Sequence, residues 1–192
     1  MRNENAAVVR DLYERQRRAM ARRRSFGLSR PTARVRLVGD MACEVEQDGW
    51  RMRIDEPVQD GGGGSAPHPG QMMRAAVAGC VAVGYRVWGA RLGVAIDDVE
   101  VDVVCELDAR GQLGLADDVT PGWQRITFDI RITSAASDAD VRRVVDTADR
   151  LSPMLANLSP AIERVHNLHI IHMHTHAHAH AVEAPRDPRG EG

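Results

Sequence analysis

Three consecutive segments of the chain, between residues 33 and 54, alternate apolar and charged residues almost without exception. A period of two places the apolar side chains on one face of a β-strand. Gly39-Asp40 and Asp48-Gly49 separate the segments, and Asp-Gly is typical of a two-residue hairpin turn. The apolar positions are Ala33, Val35, Leu37, Cys43, Val45, Trp50, Met52 and Ile54. Charges that run basic, acidic and basic from strand to strand occupy the other face, so the segments predict an antiparallel meander.

The rest of the chain predicts further helices and strands. Predicted helices cover residues 3–25, residues 71–92 and a segment that Ser137 or Asp138 caps and Pro153 ends or kinks; predicted strands cover residues 99–107, 126–132 and 165–171. The helix at 71–92 has an apolar stripe of Met73, Ala76, Val77, Cys80, Val83, Gly84 and Val87. This stripe predicts that Cys80 is buried or lies at an interface. Four glycines at 61–64 precede the helix and are interpreted as a flexible linker, because no phosphate-binding motif accompanies them.

Size and charge limit the classes of protein to which the chain can belong. With 192 residues, 43% of them hydrophobic, it is long enough for one core with tails. A formal net charge of −2 argues against a dedicated nucleic-acid or membrane-surface protein, and the basic helix at 3–25 is interpreted as a solvated face packed on a partner subunit. The first residues lack the apolar core of a signal peptide, and no stretch is long enough to span a bilayer. We therefore expect a cytoplasmic protein with reduced cysteines, of which Cys43 and Cys105 serve in packing.

The segment from Asp55-Glu56-Pro57 through the glycines and Pro67-His68-Pro69-Gly70-Gln71 to Cys80 resembles the signature of the OsmC/Ohr superfamily. The superfamily is named for osmotically inducible protein C and the organic hydroperoxide resistance proteins. The order of elements is similar as well: three strands, the cysteine helix, two long strands, a second helix and a closing strand. The resemblance makes residues 30–172 an OsmC-like domain. A basic helical extension at 1–29 precedes it, and a His-rich tail at 173–192, expected to be disordered, follows it.

This resemblance implies an α+β, OsmC-like fold of antiparallel sheets with two central helices, built as an intertwined homodimer. It also implies a two-cysteine reduction of organic hydroperoxides at the subunit interface, with no cofactor required. Cys80 matches the attacking cysteine, whereas Ser152, before Pro153, stands at the position of the resolving cysteine. Because a serine cannot form the catalytic disulfide, the chain is identified as a divergent member that lacks the resolving cysteine.

A second departure from the family pattern concerns the arginine that activates the catalytic thiol. Gly70 and Gln71 occupy positions where the family usually has a carboxylate that orients this arginine. Gln71 could hydrogen-bond an arginine but cannot anchor it by charge. Arg34 and Arg36 lie on the corresponding element, and the sequence does not select between them. An apolar stripe disfavours a thiolate at Cys80, whereas a peroxidatic cysteine needs a nearby cation.

Seven of the eight histidines lie between residues 166 and 180. The last five alternate with other residues, so that an extended chain would align them on one side about 7 Å apart. These five are His172, His174, His176, His178 and His180. Imidazoles are suitable ligands for Zn, Ni or Cu(II). Because the spacing in an extended chain is too large for neighbouring histidines to bind one ion, the chain would have to bend or a second strand would have to contribute ligands. We expect adventitious Zn or Ni affinity here; a low-complexity end or an expression tag are the alternatives.

Three functions of different classes are compatible with these features. The first is a thiol-dependent organic hydroperoxide reductase in which Cys80 is the nucleophile and an external thiol resolves it. The second is a non-catalytic OsmC-like homodimer that binds an apolar small molecule, with Cys80 in the wall of its site. The third is transition-metal binding by the histidine tail. The expected partners are a second copy and a small hydroperoxide or apolar ligand; neither a membrane nor a nucleic acid is expected.

Overall fold

The computed structural model describes residues 2–158, with side chains from residue 6 onward. In chain order the elements are α1 (Arg2–Arg22), β1 (Arg34–Val38), β2 (Ala42–Gln47), β3 (Trp50–Ile54), α2 (Pro69–Leu92), β4 (Asp98–Glu106), α3 (Ala109–Gln112), β5 (Arg125–Thr133), α4 (Asp138–Arg150) and α5 (Pro153–Asn157). The described strands form two antiparallel sheets, β1-β2-β3 and β4-β5. This mixture of helices and antiparallel sheets confirms the α+β class. The predicted closing strand at 165–171 lies outside the described residues.

The β1-β2-β3 meander has the register that the alternation predicts. Val35 lies opposite Val45, which lies opposite Met52, so that these apolar residues share one face. On the other face Arg36 pairs with Glu44 at 2.7 Å, which confirms the predicted cross-strand charges. The second turn has positive φ at both Asp48 (49°) and Gly49 (82°). These angles are those of the type I′ hairpin that the Asp-Gly pair predicts.

The β4-β5 sheet turns its apolar face toward the helices α2 and α4. Nine residue pairs connect its two strands, and Val101 lies opposite Ile130. This face packs on a core of buried residues from α2 and α4 and from the segment between α2 and β4. The core residues are Val81, Tyr85, Val94, Ile96, Val144 and Ala148. The helices therefore cover this sheet within a single chain.

The face of α2 that the chain buries differs from the predicted stripe. Val77, Val81 and Tyr85 are buried, whereas Met73 and Val83 of the predicted stripe are exposed and Cys80 is half-buried. At 100° per residue the two faces are centred about 100° apart, because α2 is apolar around most of its circumference. The sequence thus predicts an apolar helix correctly, and Val77 of the predicted stripe lies in the core of the single chain. The outward part of the stripe includes Met73 and Val83, which this chain leaves exposed.

The helix α1 packs against the carboxyl-terminal half of α2. Tyr13 meets Trp88 edge to face, with ring centroids 5.9 Å apart. The guanidinium of Arg91 lies 4.4 Å from the centroid of the Tyr13 ring and 4.8 Å from that of the Trp88 ring. The electron-rich faces of the two aromatic rings attract the positive charge of the guanidinium, which stabilises the packing of α1 on α2. Among the described residues, no helix combines the length and the apolar character needed to cross a membrane.

The glycine tract before α2 forms a closed loop, which makes the interpretation as a flexible linker wrong. The backbone amide of Asp55 donates to the carbonyl of Pro67 at 3.3 Å, which joins the two ends of the loop. Asp55 is buried, and its carboxylate accepts from the Ser65 amide at 2.9 Å and the Ser65 hydroxyl at 2.7 Å. These hydrogen bonds hold the pKa of Asp55 below its usual range, although burial opposes them. The loop thus links β3 to the start of α2 in a defined geometry.

Candidate functional site

The structure brings Cys80 and Ser152 together, although 72 positions separate them in the sequence. The sulfur of Cys80 lies 3.8 Å from the hydroxyl oxygen of Ser152, and both side chains are half-buried. Ser152 caps the amino terminus of α5, where its hydroxyl oxygen accepts from the Leu155 amide at 3.2 Å. Gly84 and Ala148 are also adjacent, which shows that α2 and α4 run antiparallel where they meet. The packing of these two helices therefore places the hydroxyl beside the thiol.

A cavity of about 260 Å³ opens beside this pair, between α2 and the end of α4. Most of its lining is apolar. The residues that line it are Cys80, Val81, Val83, Gly84, Tyr85, Val87, Trp88, Arg91, Ala148, Asp149, Leu151, Ser152 and Pro153. The charged groups in the lining are Arg91 and Asp149. A small apolar molecule with a polar group directed at Cys80 suits such a lining.

Tyr85 and Asp149 form a hydrogen-bonded pair in the wall of the cavity. Tyr85 is almost fully buried, and its hydroxyl donates to the Asp149 carboxylate at 3.0 Å. Burial raises the pKa of Tyr85 well above its ordinary value, and the negative charge of Asp149 and the hydrogen bond to it add to the effect. The phenol therefore stays protonated and keeps Asp149 supplied with a donor. The two residues connect α2 to α4 next to the thiol.

No arginine in the described part of the chain is hydrogen-bonded or ion-paired to Cys80. Arg91 lines the same cavity, but it follows Cys80 by eleven residues, which is about 16 Å along the helix axis. Arg36 is paired with Glu44 on the charged face of the meander, and Arg34 shares that face. Within one chain, neither candidate arginine of the sequence reaches the thiol through the contacts described.

Gln71 serves in the cap of α2. Its side-chain oxygen accepts from the His68 amide at 2.9 Å, and the His68 ring nitrogen Nδ1 accepts from the Gly70 amide at 3.1 Å. This reciprocal arrangement is a capping box, with Pro69 in the first turn. The side-chain oxygen of Gln71 therefore has a structural partner at the start of the cysteine helix. A role of Gln71 in orienting an arginine stays a prediction.

The other two cysteines lie on the apolar faces of the two sheets. Cys43 lies opposite Leu37 and Ile54, and Cys105 lies opposite Ile126. Burial raises the pKa of the Cys105 thiol, and the positive charge of Arg74 partly opposes this effect. All three cysteines are unpaired with one another. These positions agree with the packing roles predicted for Cys43 and Cys105.

The sequence analysis missed the polar and aromatic residues of the cavity other than Cys80 and Ser152, namely Tyr85, Trp88, Arg91 and Asp149. One signal for them was available, because Tyr85 is a polar aromatic residue within an apolar helix and a buried tyrosine needs a partner for its hydroxyl. The candidate metal ligands His172, His174, His176, His178 and His180 lie outside the described residues. Among the residues that are described, no cluster of three or more His, Cys, Asp or Glu is arranged to hold a metal ion. Metal binding by the histidines stays a prediction.

Solved structures with a similar fold include OsmC-like proteins and organic hydroperoxide resistance proteins. An OsmC-like protein from Mycoplasma pneumoniae is similar with a TM-score of 0.59 and 14% identity, covering 69% of this chain and 89% of its own. An organic hydroperoxide resistance protein OsmC from Legionella pneumophila has a TM-score of 0.52 and 19% identity, with 69% and 91% covered. An organic hydroperoxide resistance protein from Elizabethkingia anophelis has a TM-score of 0.52 and 13% identity, and the match covers 71% of this chain and 92% of that protein. At these identities the likeness concerns the fold.

Sequence comparison gives the family. Curated proteins gave no significant match. The family model described as OsmC-like protein matches residues 62–165, which is more than half of the chain and includes both Cys80 and Ser152. The matched segment also contains the helix α2, the β4-β5 sheet and the helix α4 that form the cavity. The chain therefore belongs to the OsmC-like protein family.

Proposed function

We propose that the protein is a thiol-dependent reductase of organic hydroperoxides that acts in the reducing cytoplasm. Cys80 is the nucleophile, and an external thiol takes the place of the missing resolving cysteine. The observation that carries this proposal is the position of the Cys80 sulfur in a largely apolar cavity of about 260 Å³. An apolar lining favours the organic part of an alkyl hydroperoxide over hydrogen peroxide. Similar folds in organic hydroperoxide resistance proteins support the same reaction class.

The proposed reaction has three steps. The Cys80 thiolate attacks the distal peroxide oxygen, the O–O bond breaks, and the departing alkoxide takes up a proton to become an alcohol. Cys80 is now a sulfenic acid. A first external thiol displaces its hydroxyl group as water and forms a mixed disulfide with Cys80. A second external thiol breaks this mixed disulfide, which regenerates the Cys80 thiolate and releases the external thiols as a disulfide.

We propose further that the active form is a homodimer. On α2 the outward stripe leaves Val83 62% exposed, and on the meander Leu37 is 63% exposed. Contiguous apolar faces of this kind usually mark an interaction surface. A second copy would cover both faces and would close the open side of the cavity, which makes the site depend on the dimer.

The decisive experiment for the reaction follows the consumption of cumene hydroperoxide or tert-butyl hydroperoxide with excess dithiothreitol or dihydrolipoamide. We expect turnover by the full chain and its loss in Cys80→Ser. Cys43→Ser and Cys105→Ser are matched controls, because they remove thiols that lie on the sheets, and both should retain turnover. Equal and negligible rates in the full chain and in Cys80→Ser would overturn the proposal.

The second candidate function is the binding of an apolar molecule without chemistry. It is favoured by the apolar cavity together with the finding that no described arginine is paired with Cys80. The peroxide experiment separates the two candidates, because a binding protein shows no turnover. A fluorescent apolar probe bound equally well by the full chain and by Cys80→Ala, in the absence of turnover, would support the binding function instead.

Analytical ultracentrifugation tests the dimer. We expect twice the chain mass of 21.1 kDa for the full chain and a shift toward the single-chain mass in Met73→Glu, which places a charge on the outward stripe of α2. The control is Arg142→Glu, an exposed position on α4. A full chain that sediments as a monomer at all accessible concentrations would exclude the dimer.

A further inference from the structure

We infer that Ser152 donates a hydrogen bond to the sulfur of Cys80 and thereby favours its thiolate form. The serine then has a function of its own in this chain, beyond the absence of a resolving cysteine. The inference rests on the proposed function in one respect, namely that the thiolate of Cys80 is the reactive species.

The other partner of the Ser152 hydroxyl leaves its proton free for the sulfur, and ionisation of Cys80 makes Ser152 the donor. The hydroxyl oxygen of Ser152 lies 3.8 Å from the Cys80 sulfur and 3.2 Å from the Leu155 amide nitrogen. A hydroxyl has one proton to donate and two lone pairs that accept. The amide of Leu155 uses a lone pair, so the hydroxyl proton is free to point at the sulfur. Since a thiolate has no proton and accepts only, Ser152 must be the donor once Cys80 is ionised.

The charged groups of the cavity do not themselves stabilise a thiolate at Cys80, so a hydrogen-bond donor is needed there. Asp149, on α4, contributes a carboxylate to the same cavity, and a nearby negative charge disfavours a thiolate. The Tyr85 hydroxyl already donates to Asp149, so it is not available to the sulfur. Arg91 lies three helical turns from Cys80 and stacks on Tyr13 of α1. The helix α5 brings no charged side chain, since its residues Pro153–Asn157 are all uncharged.

The position of Ser152 also explains how the sulfenic acid would persist. A cysteine at this place would condense with the oxidised sulfur and form a disulfide. A serine hydroxyl leaves the sulfur–oxygen bond intact and offers the oxidised group a hydrogen bond. The oxidised Cys80 is then reduced by an external thiol, as in the proposed reaction.

The test measures the reactivity of Cys80 without any peroxide. Iodoacetamide is reacted with the full-length protein from pH 5 to pH 10, and trypsin then releases the peptide of residues 75–86, in which Cys80 is the only cysteine. We expect the alkylation profile of Ser152→Ala to move to higher pH by about one unit, which is a roughly tenfold slower reaction at pH 7. Ser152→Thr keeps the hydroxyl and should restore the profile of the natural chain.

A second set of variants separates this effect from loss of the helix cap. Ser137→Ala removes the cap of α4, where the Ser137 hydroxyl oxygen accepts from the Asp140 amide, and should leave the profile unchanged. Ser152→Gly also lacks the hydroxyl, and glycine is well tolerated at a helix cap. It replaces the alanine variant if that one fails to fold, and it should show the same shift.

The outcomes distinguish this inference from the proposed function. An unchanged profile in both Ser152→Ala and Ser152→Gly would overturn the inference even if the protein reduces peroxides. A shifted profile restored by Ser152→Thr supports it even if no peroxide is turned over. An equal shift in Ser137→Ala would also overturn it, because the effect would then come from general loosening of the helices.

Discussion

The two sheets of this chain share one sequence pattern but differ in their surroundings. The apolar face of β4-β5 packs on Val81, Tyr85 and Ala148 of the helices, and its own residues are half-buried. The apolar face of the meander leaves Leu37 and Trp50 exposed, Trp50 by 76%. Alternation therefore predicts that a strand has one face to be covered, but it carries no information about what covers it. We expect the second copy of the chain to cover the meander.

The largest expected loss in the free energy of unfolding comes from a charge between the helices and the β4-β5 sheet that they cover. Val144 of α4 is completely buried against the β4-β5 sheet, and Val144→Asp would place an unpaired carboxylate there. We expect the free energy of unfolding to fall by at least about 4 kcal/mol. Urea denaturation followed by circular dichroism measures the change. Asp146→Ala, at an exposed position of the same helix, should change it by less than about 0.5 kcal/mol.

The next effect concerns the loop that joins the two regions. A Cβ at Gly62 would lie 2.0 Å from the carbonyl oxygen of Glu56, so Gly62→Ala forces the backbone of the loop to move. We expect a loss of about 2 kcal/mol in the free energy of unfolding. The matched control is Gly79→Ala in α2, where a Cβ meets no atom within 4 Å. That variant should gain up to about 1 kcal/mol, because alanine favours the helix; equal stabilities of the two variants would argue against a closed loop.

A charge on the exposed apolar face of the β1-β2-β3 meander distinguishes this sheet most directly from the β4-β5 sheet. Leu37→Glu lies on the apolar face of the meander, where the single chain leaves it uncovered. We expect it to weaken the dimer about 30-fold, a change of roughly 2 kcal/mol, because a buried interface would receive an unpaired charge. Sedimentation at several concentrations gives the dissociation constant. A dissociation constant equal to that of the natural chain would place the meander outside the dimer interface.

The smallest effect concerns the polar pair beside the cavity, in the covered region. Tyr85→Phe removes the donor to Asp149, and we expect a loss of about 1 kcal/mol at pH 7. Since burial raises the pKa of Tyr85 in the folded chain above its ordinary value of 10.0, the folded protein keeps a proton that the unfolded chain releases. This contribution to stability is complete below about pH 10 and is lost as the pH rises toward the folded value.

Denaturation with urea from pH 7 to pH 11 measures this contribution. The free energy of unfolding of the natural chain should fall above about pH 10, and Tyr85→Phe should lack this part of the decrease. A parallel decrease in both proteins would assign it to other groups.

The sequence predicted the regular elements more successfully than the site. The apolar positions of the meander and the turn at Asp48-Gly49 agree with the structure, and of the two predicted caps, Ser137 and Asp138, the structure has Ser137. Each depends on residues that are close in the chain, because strand alternation, turn angles and helix caps are local properties. The short helices α3 and α5 were not predicted, since four or five residues are too few to show a period.

The site was predicted only in part. The pairing of Cys80 with Ser152 followed from the resemblance to the OsmC/Ohr superfamily, and the structure places the two side chains 3.8 Å apart. The pair of Tyr85 and Asp149 could not be predicted, because 64 positions separate the two residues and only the packing of α2 on α4 brings them together. The cap that Gln71 forms at the start of α2 was not predicted, and its hydrogen bond to an arginine stays a prediction.

Periodicity in the sequence was enough to specify the long helices and the strands of the described residues, the pairing of β1, β2 and β3 and the turns between them. Long-range packing selected which side of α2 enters the core, since that helix is apolar around most of its surface and its sequence does not distinguish one side from another. The same packing formed the cavity beside Cys80, because burial depends on elements that meet only after the chain has folded.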